Sequence, residues 1–220
     1  MTARALPLPK LPHWRDGLTF AVVLALLLAP WPGLAATCSS AFAATLNFLG
    51  AERVLDSGVS LALEPLGKSA FQPSIHAAPL WHVFLVATNP ASGASPRMAF
   101  NTRGAFYLPS ATFVAFLVAA RAWRWTHPRR AVLAGGIVLG SFTTLSVLVA
   151  ALSFLALPAV GGISLGESTR TWLEAFFLGW FAAPGMGYAA ALLAAACALL
   201  AGGGLESLAL GREPVIVARK

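Results

Sequence analysis

The sequence predicts an α-helical integral membrane protein: four transmembrane helices, with a small β-containing extracytoplasmic element in the loop between the first and the second. Three observations predict it. Hydrophobic residues make up 58% of the 220-residue chain and charged residues 10%, against about a quarter charged in an ordinary soluble domain. Mean hydropathy is +0.75. Four apolar stretches approach or exceed the ~20 residues that a helix needs to cross a hydrocarbon core of ~30 Å.

The first stretch is Gly17–Ala36, "GLTFAVVLALLLAPWPGLAA", with a kink expected at Pro30 and Pro32. Its basic flank and the small-residue run Gly33-Leu34-Ala35 also suit a cleaved signal peptide. The kink and the length up to Ala36 suit a retained anchor, which is the reading adopted. Thr37 before Cys38 makes a poor lipoprotein site. The second stretch runs from Phe106 to Trp123, and the third from Ala131 to Leu157 without a charge. The fourth, Trp172–Leu200, is rich in Ala, is broken or kinked at "AAPGMGY" by Pro184, and is closed by Gly202 to Gly204. This divides the chain into residues 1–37 (flank and first helix), 38–105 (outer loop), 106–201 (helices two to four) and 202–220 (cytoplasmic tail).

Orientation follows from Lys and Arg in the short flanks. Arg4, Lys10 and Arg15 precede the first stretch. Arg121, Arg124, Arg129 and Arg130 fill the link between the second and third. Arg212, Arg219 and Lys220 lie in the tail. All are cytoplasmic if both termini are inside. The link between the third and fourth stretches carries only Glu167 and Arg170. Trp123, Trp125, Trp172 and Trp180 suit interfacial aromatic belts.

The outer loop is patterned. In "SSAFAATLNFLGAERVLDSG", Phe42, Leu46, Leu49 and Leu55 recur near helical spacing, with Ser39 or Ser40 as cap and Gly58 as stop. This helix either lies along the membrane or prolongs the first span. "GVSLALEP" alternates with strand period, "WHVFLVATNP" is a second strand candidate between prolines, and "SPRMAFNTR" a third. Two strands alone are marginal in water, so the element leans on the helices or on a partner.

The formal net charge of +7 sits in basic runs beside apolar stretches. Topology and anionic headgroups explain it, and nucleic acid is not an expected partner. Cys38 and Cys197 form no CxxC pair, and His13, His76, His82 and His127 have no metal-binding spacing, so neither metal nor cofactor is expected. No acid lies deep inside a span, which argues against a proton or ion pathway.

One set of residues raises enzyme chemistry. Cys38, Arg103, His76 and His82 share the outer side. A thiolate with a His partner and an Arg for an oxyanion is a workable transpeptidase or hydrolase set. The plainer reading makes Cys38 a small interfacial residue and Arg103 an anchor whose stem lies along apolar surface. Asn101 then bonds loop backbone at a structural corner, and Pro109 sits in the first helical turn. Gly136 and Gly140 have the GxxxG spacing of close helix contacts, within the chain or with a partner.

The plan as a whole resembles the exosortase-associated integral membrane proteins. One N-terminal span is followed by a β-containing outer loop, then "NTRGAFYLPSATFVAFLVA", a basic turn and two more spans. Asn101, Gly104, Tyr107, Leu108 and Pro109 match the family's Asn-led, Tyr-Leu-Pro-bearing opening of the second span. The resemblance implies an accessory subunit of a bacterial inner-membrane protein-sorting or polysaccharide-export system. Its partners would be lipids and another integral membrane protein, an exosortase, which carries the catalysis.

Overall fold

The computed structural model describes residues 14–48, 59–65, 81–89, 93, 95–157, 160, 163–181, 183 and 185–204. The chain is mostly helical with one small sheet. The described elements are α1 (Trp14–Leu28), α2 (Leu34–Leu46), β1 (Ser60–Pro65), β2 (His82–Thr88), β3 (Arg97–Asn101), α3 (Leu108–Ala119), α4 (Pro128–Leu155), α5 (Glu167–Phe176) and α6 (Met186–Gly202). They group into two compact units. One comprises Met1–Ala29, Pro109–Ser141 and Tyr188–Lys220, the other Pro30–Leu108 and Phe142–Gly187.

The second unit is built around an antiparallel sheet of order β1-β2-β3. All three strands fall within the three candidate segments. Val83 faces Phe100, Leu85 faces both Leu63 and Met98, and Ala87 faces Leu61. These inward residues join Phe42 and Ala43 of α2 and Val147, Ala150, Ala151 and Phe154 of α4 in one apolar core. The opposite face carries Glu64, His82, Arg97 and Asn101, with Arg97 3.9 Å from Glu64 in a half-exposed pair. β1 is an edge strand, and Asn47 covers part of its edge. Its Nδ2 donates to the Leu63 carbonyl at 2.8 Å and its Oδ1 accepts the Leu63 N–H at 3.0 Å. An unpaired strand edge invites foreign strands, and here one side-chain amide stands in for the next strand.

The loop helix starts earlier than the Ser cap predicts. Pro30 and Pro32 end α1, Gly33 takes a left-handed φ of 77°, and α2 begins at Leu34. Ser39 is therefore inside the helix and buried, not at its cap. The expected stop at Gly58 lies outside the described residues. The fourth stretch is also two helices. α5 continues through a π-helical turn, Phe177–Phe181, and α6 starts only after Gly185, whose φ is 107°.

The first unit is helical. Gly135 sits against the Phe113 ring: a Cβ there would come within 2.0 Å of it. The basic link folds as a 3-10 turn, Ala122–Arg124, after Arg121 at a φ of 51°. Trp123 is exposed, as a belt residue should be, but Trp125 is buried. Its Nε1–H donates to the Ala120 carbonyl at 3.2 Å. Its ring lies where a Cβ on Gly202 would come within 2.5 Å and one on Gly204 within 3.1 Å. The glycines that close the fourth stretch thus make room for the indole, and the His127 N–H bonds the Gly202 carbonyl beside it at 3.1 Å.

Among the described residues one helix, α4, is long and apolar enough to cross a membrane: 28 residues, about 42 Å. α6 and the helical run Arg103–Ala119 have 17 residues or fewer. α1 is apolar, yet none of its residues is buried.

Candidate functional site

The Asn-Thr-Arg step joins β3 to the helix that follows. Asn101 ends the strand, and its Oδ1 accepts the Arg103 N–H at 3.0 Å. This is the local side-chain-to-backbone bond by which Asn mimics a turn. Thr102 is fully buried. Its hydroxyl donates to the Trp81 carbonyl at 2.6 Å and meets the Ser39 hydroxyl at 3.2 Å. One side chain thus ties together the residue before β2, the end of β3 and the middle of α2. Aromatic pairs join the same elements: Trp81 and Tyr107 with centroids 4.7 Å apart, Phe42 stacked on Phe100 at 5.9 Å, and Phe42 against Phe106 at 5.7 Å.

The chain leaves this corner as a π-helical turn, Arg103–Tyr107. The cause is Pro109, which lacks an N–H and whose ring would strike the carbonyl four residues back, that of Ala105. In the wider turn the Leu108 N–H bonds the Arg103 carbonyl, five residues back. The Ala105 carbonyl takes the Thr143 hydroxyl of α4 at 3.2 Å. Pro109 stands in the first turn of α3, but that helix follows directly on the π turn, and a hydroxyl from another helix meets the Ala105 carbonyl.

Cys38 is half-buried on α2, one residue before Ser39. Burial pushes its thiol above the ordinary range, which lowers the thiolate fraction that nucleophilic chemistry needs. The Tyr107 phenol feels the charge of both the Cys38 thiol and the Arg103 guanidinium. His82 is not in this group. It pairs with Asn101 on the outward face of the sheet, whereas α2 packs Phe42 against Phe100 on the other face. His76 lies outside the described residues. Tyr107 is thus the group that links to Cys38 and to Arg103, and His82 is set apart on the outward face. Among the described residues no three His, Cys, Asp or Glu side chains are placed to hold a metal.

Gly136 and Gly140 are exposed, and a Cβ at either meets nothing within 4 Å. The close approach inside the chain belongs to their neighbour Gly135. What the sequence reading missed at the corner is Thr102, Ser39, Trp81 and Thr143. Thr102 stood inside the quoted step, and Thr143 is a hydroxyl in an uncharged run. Only the fold shows that both have buried partners. No protein-family model, curated protein or solved structure matches the chain.

Proposed function

We propose that this chain is a non-enzymatic accessory subunit in a bacterial cytoplasmic membrane, with four spans and both termini inside. It would serve a protein-sorting or polysaccharide-export system and partner a larger integral membrane protein, an exosortase by the resemblance of its second span. The observation that carries the membrane reading is where the apolar side chains point. Trp14, Leu18, Val22 and Leu26 form an exposed row along α1. Leu133 and Ile137 of α4 and Leu192, Leu193 and Leu200 of α6 are exposed by 58–69%. Monomeric soluble proteins rarely expose contiguous apolar surface on this scale, whereas lipid covers it at no cost. The four crossings would be α1, the run Arg103–Ala119, α4, and α5 with α6. The runs of 17 residues are at the lower end of what spans, and the described α1, with 15 residues, is shorter still.

The accessory role is supported by how the corner uses its polar groups. Asn101 and Thr102 bond backbone, and the Cys38 thiol is held toward its protonated form. The second reading is an outer-face thiol enzyme, favoured by the coupling of Tyr107 to both Cys38 and Arg103. Two measurements decide. Reporter fusions at Arg15, Ser95, His127, Gly166 and Lys220 should report inside, outside, inside, outside, inside. An outside signal at His127 would sink the four-span arrangement. Cys38→Ser should leave surface sorting or export in cells intact. Loss of it at normal protein yield would establish the thiol enzyme instead.

A further inference from the structure

The helical first unit contains a cavity of about 570 Å³, lined by Trp14, Arg15 and Asp16 from the first turn of α1 and by Ala119, Ala120 and Arg121 at the end of α3. That volume falls among pockets that take small ligands, about 300–1,000 Å³. Two arginines and one aspartate line it, and among the described residues no ion pair joins any of the three to another side chain. Arg121 holds a left-handed backbone conformation, φ 51°, which glycine occupies more readily. Arg15 leans over the Trp14 ring at 5.7 Å.

The charges select a ligand class. Two arginines favour a phosphate, which the planar guanidinium matches in bidentate fashion. Asp16 would repel a purely anionic ligand and would attract an ammonium. A group with a phosphate and an ammonium a few atoms apart satisfies all three. The surroundings add a hydrocarbon requirement. Trp14 begins the exposed row that Leu18, Val22 and Leu26 continue at four-residue intervals up α1, so an acyl chain leaving the cavity has an apolar track. Tryptophan beside a charged group is the usual furniture of headgroup depth.

We propose that this cavity is a binding site for the headgroup of an aminophospholipid, with the phosphate between Arg15 and Arg121 and the ammonium at Asp16. The site rests on the membrane reading above. It lies on the side assigned to the cytoplasm, away from the Asn101–Arg103 corner in sequence and in role.

The test uses the purified full chain in detergent, with lipid binding read by native mass spectrometry. The probes are phosphatidylethanolamine, phosphatidylglycerol and inorganic phosphate. The wild type should hold phosphatidylethanolamine about tenfold more tightly than phosphatidylglycerol, as one added charge contact of about 1.4 kcal/mol requires. Asp16→Asn should erase that preference while keeping phosphatidylglycerol binding. The double variant Arg15→Gln/Arg121→Gln should lose both lipids, and Arg15→Lys/Arg121→Lys should keep part of the binding. Circular dichroism confirms that each variant is folded, and the Lys pair keeps the test open if the Gln pair is not. Equal binding of the two lipids by the wild type would overturn the proposal, as would unchanged binding in the Gln variant. Displacement of lipid by millimolar inorganic phosphate would also overturn it, and would make this a site for soluble phosphate. Carbonate extraction of cell membranes separates the two levels of failure. A chain released by carbonate refutes the membrane reading, whereas a retained chain without lipid preference refutes only the site.

Discussion

Replacing Thr102 by Val keeps the shape of a fully buried side chain and removes its hydroxyl. The Trp81 carbonyl then loses its donor, previously at 2.6 Å, and the Ser39 hydroxyl loses a partner at 3.2 Å. Leaving a buried polar group unsatisfied costs about 1–3 kcal/mol. The site is dry, since Phe42 and Phe100 nearby are each 5% exposed, so the upper half of that range is expected. In a chain of this size about 2 kcal/mol lowers the midpoint of thermal unfolding by about 4–8 °C. Thr102→Ser keeps the donor and gives up one methyl group, a loss of about 1 kcal/mol. The predicted order of stability is therefore wild type, then Ser, then Val. The assay is thermal unfolding of the detergent-solubilised chain, followed by circular dichroism, with yield recorded for each variant. If Val matches the wild type while Ser falls below it, Thr102 acts through its methyl group. The hydrogen-bonded corner would then have no energetic role.

Asn47→Ala should cost about 1–3 kcal/mol for the two bonds to Leu63. Asn47→Asp should be at least as damaging, because it sets a carboxylate oxygen against the Leu63 carbonyl; the same melting experiment reads both. Gly202→Ala should destabilise by about 1–3 kcal/mol through overpacking, since its Cβ would sit 2.5 Å from Trp125 and 2.9 Å from Ala131. Gly136→Ala should leave melting within about 0.5 kcal/mol, and a loss of co-purifying membrane protein in that variant would place the partner on the exposed glycine face. Maleimide labelling of Cys38 should be slower at pH 7 than for a free thiol. Burial raises the pH at which thiolate forms, so the rate should climb through a pH range above the usual thiol titration near pH 8.5. Full labelling at pH 7 at the rate of free cysteine would contradict this. Arg103→Lys should be mild, since both side chains reach headgroups, and Arg103→Ala should lower yield. Normal yield with function abolished in both would instead point to an oxyanion contact that lysine cannot replace.

The strands were legible because one face of a small sheet meets a core and the other does not. Val59, Leu61 and Leu63 alternate with smaller or polar neighbours for that reason, and prolines mark the turns. The third stretch was legible as a helix because its long apolar run carries no charge or proline between Ala131 and Leu157. Helix ends were less so. The Pro30–Gly33 step starts α2 at once, which overrides the serines as caps. Trp125 looked like a belt residue, because composition alone cannot tell a tryptophan at headgroup depth from one enclosed by Gly202 and Gly204. At the corner, Asn101 was readable because its partner is two residues away. Thr102 was not, because Ser39 is 63 residues distant and nothing local marks the pairing.

The bond from Thr143 to Ala105 makes α4 a sliding scale with one marked position. Proline at 109 frees a carbonyl among hydrocarbon, and a donor must arrive from elsewhere. Slide α4 by four residues in either direction and the side chain presented is Leu139 or Val147, neither of which has a proton to give. The unmet carbonyl would then disfavour every such misalignment. A helix that otherwise packs largely through apolar side chains thereby acquires a preferred register. The bond from Thr143 thus fixes one point at which the second and third apolar stretches meet.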